Sequence, residues 1–397
     1  MKNKTKRKFL ETIGHAGVFL AGINLPVWAI NTTARAATSN LILELKEPDK
    51  NGLMLLEGFT SRIIATTNKK PLLFTRYKWH RWPDGGATFA TDDGGWIYVS
   101  NSENSSHNGG VGAVRFNSKA EIIKAYQICE NTSMNCAGGL TPWNTWLTCE
   151  EHKKGFTWEC DPFGKKKQIK LPSLGMFKHE AAAVDPETST IYLTEDENES
   201  GFYRFVPEKK INEMGELSNI KGKFQVMNTK MGKVVWNEVY NPLAKGKKSL
   251  MLRKENKGVE YKVFKRGEGA YYDNGKIYFA TTATHTIWVY DIKKEKVKPL
   301  YSGNGALRDP DNVVVSKTGL VMAAEDIGNM EICGISTKEA NPKAFPIIRM
   351  TGQHKNSEVT GPAFNPSGER LYFSSQRGKD GFTGITFEVT GPFNKLV

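Results

Sequence analysis

Cysteine, histidine and long apolar runs are all scarce in this chain of 397 residues. Its five Cys include no C-x-x-C pair, which argues against a zinc ribbon, and they are too sparse for a disulfide scaffold. The odd number leaves at least one thiol unpaired or bound to something else, with Cys149 and Cys160 open as a possible pair. Also missing are a G-x-S-x-G elbow, a G-x-x-x-x-G-K-[ST] loop, an H-E-x-x-H pair and a dinucleotide fingerprint, so the common nucleophile, phosphate-loop and zinc-protease chemistries have no foothold. No Lys/Arg-rich helix or basic-aromatic stripe accompanies the formal charge of +13, and a specific nucleic-acid partner is not expected. The 38 Gly are aperiodic, and 24% charged with 11% aromatic residues is globular composition.

What is present begins with a leader. Lys6, Arg7, Lys8, Phe9 and Leu10 precede a weakly apolar stretch from Ile13 to Ile30, followed by Ala34, Ala36 and Ala37. That is the order of an export signal, with a middle too short and too polar for a stable span. KRKFL resembles a twin-arginine signal with Lys in place of the first Arg, a route that exports folded proteins. Residues 1–36 are therefore expected to direct the chain to the periplasm or the outside. The remainder, 37–397, is expected to be one soluble, monomeric catalytic domain without a membrane span.

A degenerate repeat organises that remainder. Six segments, WIYVSNSE, TWLTCEE, TIYLTEDE, KIYFATTA, GLVMAAED and RLYFSSQR, end in a short apolar run followed by polar residues. Anchored at Val99, Leu147, Leu193, Phe279, Met322 and Phe373, they are spaced by 48, 46, 86, 43 and 51 residues, mostly the length of one four-stranded blade. The expected fold is all-β, a six-bladed propeller. Residues 206–262, rich in Lys and Asn, read as outer strands plus an insertion, with a seventh blade as the lesser alternative.

Eleven to fifteen residues before each anchor stands a second feature: Asp84, Cys136, Glu180, Glu268, Asp311 and Glu358. Turn signals such as DDGG, DNG and NPSG lie between the two features, so each unit reads strand, tight turn, strand. The open ends of such a hairpin share one rim. Six hairpins around an axis would bring these residues together with Asn101, Glu103, Glu150, Glu151, Asp196, Glu197, Glu325 and Asp326. Carboxylates this crowded cannot all ionise unpaired, and multivalent cations are the simplest remedy. Carboxylates suit a hard cation such as calcium, whereas the Cys136 thiolate suits iron. His179 is a further candidate for metal binding or proton shuttling, against the plainer reading of a packed histidine. Arg266, two residues before Glu268, could grip a phosphate bidentately or serve as a counter-ion.

On these residues the chain resembles the PhoX-type alkaline phosphatases. NCAGGLTPWNTWLTCEE, FKHEAAAVDPETSTIYLTED, FKRGEGAYYDNGKIYFATT, DPDNVVVS and EVTGPAFNPSGERLYFSSQRG carry the resemblance, over roughly Leu55 to Phe393. It implies an exported phosphatase that hydrolyses small phosphate monoesters by metal-assisted in-line attack. It also implies a centre of two Fe3+ and three Ca2+ joined by a bridging oxo group. Cys136 looks like the family's iron-binding cysteine, Glu151, Glu180 and Glu268 like its metal-binding glutamates, and Arg266 like its phosphate-gripping arginine. Glu150 against Glu151, and Glu195 against Asp196, differ by one step of strand alternation and stay open. VSNSEN departs from the Asn-His-Glu of many members, keeping Asn101 and Glu103 around Ser102. A calcium-dependent propeller hydrolase of the lactonase kind and a non-catalytic binding propeller are the alternatives.

Overall fold

The six apolar runs of the repeat become strands buried on both faces, because a neighbouring sheet packs against each side. WIYVSNS over Trp96–Ser102 and IYLTE over Ile191–Glu195 have no exposed residue. The computed structural model describes residues 44–243, 256, 258–303 and 305–396, and the expected export signal lies outside them.

Strands β1 (Leu53–Leu55) and β2 (Thr60–Thr66) come first. Blade 1 holds β3 (Pro83–Ala90), β4 (Trp96–Ser102), β5 (Gly109–Phe116) and β6 (Ile122–Thr132). Blade 2 holds β7 (Asn135–Leu140), β8 (Trp146–Glu150), β9 (Thr157–Cys160) and β10 (Ile169–Leu171). Blade 3 holds β11 (His179–Val184), β12 (Ile191–Glu195), β13 (Phe202–Pro207), β14 (Gly222–Lys230) and β15 (Lys233–Glu238), with the short helix α1 (Glu216–Asn219) between β13 and β14. Blade 4 holds β16 (Gly267–Asp273), β17 (Lys276–Thr281), β18 (Thr286–Asp291) and β19 (Lys296–Ser302). Blade 5 holds β20 (Pro310–Val315), β21 (Val321–Glu325), β22 (Glu331–Ile335) and β23 (Phe345–Met350), and blade 6 holds β24 (Val359–Phe364), β25 (Arg370–Ser375) and β26 (Ile385–Thr390).

The protein is therefore a six-bladed β-propeller. The long gap between repeats is filled by the outer strands of blade 3, including the added β15, and not by a seventh blade. All pairings are antiparallel, with tight turns where the sequence signals them. In DNG, Asn274 and Gly275 both take positive φ, 46° and 75°, as a two-residue hairpin requires. No helix among the described residues is long and apolar enough to cross a membrane.

The core is divided among the blade interfaces. Tyr98 of blade 1 stacks on Tyr372 of blade 6, with ring centroids 4.8 Å apart, and Phe202 of blade 3 on Phe279 of blade 4 at 4.3 Å. Nearer the axis the strands are too close for side chains. A Cβ on Gly85 would lie 2.6 Å from the Cα of Ala137, and one on Gly269 the same distance from the Cα of Asn312. Glycine there sets how closely neighbouring inner strands approach.

The ring is closed by early strands added to late blades. β2 pairs with β26 on the outside of blade 6, and β1 with β23 on blade 5. Glu388 on β26, 1% exposed, clamps this closure. It accepts from Arg62 on β2 (2.8 Å to each oxygen), from Arg370 (2.6 Å) and from the Tyr372 hydroxyl (2.7 Å). Removing one member of a buried ion-pair network strands its partners, so Glu388→Ala should destabilise the fold by about 3 kcal/mol in denaturant unfolding. A change below about 0.5 kcal/mol would show that β2 is held by its backbone ladder and packing instead.

Candidate metal centre

Each inner strand meets the rim through the same local device. The first residue of β3, β7, β11, β16 and β20 pairs with the last residue of the next strand: Pro83 with Ser102, Asn135 with Glu150, His179 with Glu195, Gly267 with Thr281, Pro310 with Glu325. The register then shifts through a bulge, which re-aims side chains at strand ends. The side chain beside the bulge is Asp84, Cys136, Glu180, Glu268 or Asp311. Just before it the backbone is often left-handed, with φ of 47° at Trp82, 53° at Met134, 51° at Arg266 and 41° at Asp309. Positive φ is uncommon for such residues, and its recurrence marks a shared constraint at the rim.

Blade 6 corrects the repeat alignment. Val359 pairs with Ser375, so Thr360 occupies the place of Asp84, and Glu358 reaches the rim from two residues upstream, the place of Arg266 and Lys178. It is nonetheless buried at the ring.

The acidic pairs after the second strands divide cleanly. Glu150 does not join the ring. Its carboxylate accepts the backbone N–H of Ser133 (2.9 Å) and Phe156 (3.1 Å) and so ties the chain entering blade 2 to the loop between β8 and β9. Glu325 does the same in blade 5, accepting from Arg308 and Glu331 N–H, while Glu195 in blade 3 accepts from Gly201 N–H and Tyr203 Oη beyond β12. Glu151, Asp196 and Asp326, one step along, turn to the axis.

Asn101 is likewise not available as a ligand. Its Nδ2 donates to the carbonyls of Cys136 (2.9 Å) and Ala137 (2.8 Å), and its Oδ1 accepts Trp146 Nε1 (2.8 Å), lacing blade 1 to blade 2. His179 points away from its neighbour Glu180. It stacks on Phe177 and is held by Thr157 and the Gly175 carbonyl, and burial lowers its pKa to about 3, which leaves a packed, neutral ring. All five cysteines are buried and free, so Cys149 and Cys160 are unpaired.

Two sets of three ligand atoms meet at the axis. Cys136, Glu151 and Glu180 form one, and Glu180, Glu268 and Asp311 the other, each with its ligand atoms within 4.8 Å of one another. Asp84 adjoins Cys136, with Sγ 3.6 Å from Oδ2, and Gln376 Nε2 bridges Asp84 (2.6 Å) and Glu103 (2.8 Å). Glu180, shared by both sets, is fully buried, and neither of its oxygens has a hydrogen-bond partner. One oxygen of Asp311 is in the same state.

With only protein groups around them, these acids are poorly tolerated as anions. Burial first, then the neighbouring carboxylates, holds Asp84, Glu180, Asp311 and Glu358 well above the usual carboxylate range. Burial and Asp196 do the same to Glu268, and burial raises Glu151 to about 8 although Lys178 opposes it. The Cys136 thiol is also pushed up, by burial and then by Asp84. Orphaned buried oxygens beside carboxylates and a thiol whose ligand atoms lie within 4.8 Å of one another fit multivalent cations, whose charge would reverse each of these shifts.

The family model for the alkaline phosphatase PhoX matches residues 88–157, 152–305 and 291–378. The chain belongs to the PhoX family. Among solved structures, Pseudomonas fluorescens PhoX in complex with vanadate, a transition state analogue, superposes with a TM-score of 0.71 at 16% identity, covering 90% of this chain and 99% of that one. A gluconolactonase from Xanthomonas campestris, XC5397, superposes with a TM-score of 0.50 at 10% identity, over 90% of this chain and 93% of that one. At these identities both show the shared propeller fold. No curated protein matches the sequence significantly.

The chain also carries cations on its rim that the repeat did not single out. Lys178 binds Glu151 (2.8 Å) and Asp196. Arg377 binds Glu358 (2.7 Å). The signal for Lys178 was its position two residues before Glu180, the offset of Arg266 from Glu268. Arg266 itself is oriented by acids: Nε lies 2.8 Å from Asp196 Oδ1, one Nη 3.1 Å from Glu268 Oε1, and its side chain is 37% exposed. Glu268 is further held by Thr282 Oγ1 at 2.6 Å.

The raised carboxyl pKa values set a pH dependence. A group such as Glu151, with 4.5 as its ordinary value and about 8 here, contributes stability that is intact below 4.5 and lost as the pH rises towards 8. Chelated protein should therefore lose thermal stability between about pH 5 and 8, and added multivalent cations should restore it. A flat profile after chelation would mean that the ring is neutralised by its own lysine and arginines.

Proposed function

We propose that the chain hydrolyses phosphate monoesters at a mixed iron and calcium centre on the propeller axis. Membership of the PhoX family supports a phosphatase acting on small phosphorylated substrates. The observation that carries the metal reading is Glu180, buried between two three-ligand sets with both oxygens unpartnered. Cys136, Glu151 and Glu180 would hold iron, the thiolate being a ligand that calcium would not select. Glu103, Asp311, Asp326 and Glu358 offer the all-oxygen donors that calcium prefers.

When bound, such metals supply charge stabilisation at the phosphoryl oxygens and a nucleophile at neutral pH, which fits an in-line displacement and needs no protein nucleophile. The chain's own residues then have positioning work. Asp196 and Glu268 hold the Arg266 guanidinium at the rim with part of it open to solvent, so it can meet the phosphoryl group without first being ordered. Lys178 fixes Glu151 and Asp196 in turn. Buried Thr282 keeps Glu268 pointing inward. Export across the membrane in a folded state, with residues 1–36 as the signal, belongs to the same proposal. A calcium-only centre of the lactonase kind would give the thiol at Cys136 no task.

The test is elemental analysis of the exported protein together with hydrolysis of p-nitrophenyl phosphate. Iron and calcium should both be found, and Cys136→Ala should lose iron and at least roughly 10²-fold in kcat together. Full iron with full turnover in that variant would overturn the assignment. Arg266→Ala should keep its metals and lose about 10- to 100-fold in kcat/KM. Loss of metals from that variant would make Arg266 a structural counter-ion.

A further inference from the structure

Arg377 stands where no repeat position demands an arginine. It follows β25 by two residues, and its backbone is fixed: the N–H groups of Arg377 and Gly378 both donate to Ser357 Oγ, at 2.9 and 3.1 Å. Gly378 takes φ of 58°, and a Cβ there would come within 2.2 Å of the Thr383 carbonyl, so the loop has one close-packed path. The side chain leans over the ring. One Nη meets Glu358 Oε2 at 2.7 Å, the neighbouring Gln376 bridges Asp84 and Glu103, and 47% of the side chain remains exposed.

Its position relative to Arg266 is the decisive geometry. Arg266, from blade 4, is held by Glu268 and Asp196, and Arg377, from blade 6, by Glu358, so each guanidinium is tied inward to a buried acid of the same ring. Two half-exposed guanidinium groups thus stand on the rim of one acid ring. Each is aimed by buried acids on its inner side and is open on its outer side. Once cations neutralise the acids, the exposed edges form a two-sided receptor for a compact anion.

We propose that Arg377 is a second phosphoryl-binding arginine that, with Arg266, selects dianionic phosphate monoesters over diesters. This rests on the phosphatase reading above. A monoester presents three non-bridging oxygens, enough for the metal centre and for both arginines. A diester presents two and carries one charge less, so one guanidinium would be left without its partner. Planar bidentate donors match phosphoryl oxygens better than a lysine ammonium, which has no fixed fork.

The experiment uses metal-loaded protein and compares wild type, Arg377→Ala and Arg377→Lys. The readouts are kcat/KM on p-nitrophenyl phosphate and on bis-p-nitrophenyl phosphate, the dissociation constant of inorganic phosphate by calorimetry, and metal content. Arg377→Ala should weaken phosphate binding by about 10- to 100-fold, reduce monoester kcat/KM by a similar factor, and change diester turnover less than about threefold. Arg377→Lys should recover part of the phosphate binding. Equal loss on both esters, or loss of metal, would overturn the proposal and leave Arg377 as the counter-ion of Glu358; so would unchanged phosphate affinity. If wild type bound phosphate but hydrolysed no monoester, the phosphatase reading would fail by itself, and the phosphate affinity of Arg377→Ala would still decide whether Arg377 binds the anion.

Discussion

Everything at the centre of this propeller follows from forcing carboxylates together inside a ring of closely packed strands. Inner strands with glycine at Gly85, Gly269 and Gly361 approach until there is no room for a Cβ. That spacing brings ligand atoms of Glu180 within 4.8 Å of those of both Cys136 and Asp311. The repulsion is severe where water is excluded, and protonation and the rim cations Lys178, Arg266 and Arg377 are the relief that the chain itself supplies. Both are partial, because the deepest oxygens, those of Glu180, have neither a hydrogen-bond donor nor a cation beside them.

The blades make this arrangement affordable. Each interface carries its own apolar cluster, from Trp96, Tyr98 and Tyr372 between blades 6 and 1 to Phe202, Phe279 and Tyr290 between blades 3 and 4. The ring is then locked by β2 and the Glu388 network far from the axis. The strain of the centre is thereby separated from the energy that holds the fold, and the functional face can keep buried charges that a single small core would not tolerate. The recurring carboxylates of Glu150, Glu195 and Glu325 serve the scaffold side of this division, tying loops to strand ends with backbone hydrogen bonds. Their neighbours Glu151, Asp196 and Asp326 serve the other side.

Membership of the PhoX family gives the ring a chemical purpose that geometry alone leaves broader. An acid-lined propeller mouth suits several hydrolases, and the gluconolactonase shares the architecture. Cys136 and the pair Arg266 and Arg377 are what narrow it. A thiol among carboxylates asks for a metal other than calcium, and guanidinium groups already aimed by acids suit a doubly charged, compact anion.

The repeat made the fold legible from the amino-acid order. Six apolar runs at blade spacing, each preceded by a polar residue and a turn, are the pattern of hairpins around an axis, where neighbouring sheets bury both faces of each strand. The identities of Asp84, Cys136, Glu180, Glu268 and Asp311 as rim residues followed from the same periodicity. What the linear pattern could not decide was direction. Glu150 and Glu151 are adjacent, and which one faces the axis depends on where the strand's last ladder pair falls. Asn101 has the chemistry of a ligand, but its amide is taken by the carbonyls and the tryptophan of the next blade. Thr360 and Glu358 exchange roles because the bulge in blade 6 sits elsewhere relative to the acid. Lys178 and Arg377 gain meaning only when closure of the ring sets them against acids from other blades. Periodicity along a chain determines which residues share a rim; only packing between blades, which has no local sequence signal, determines which of them point inward and what they meet there.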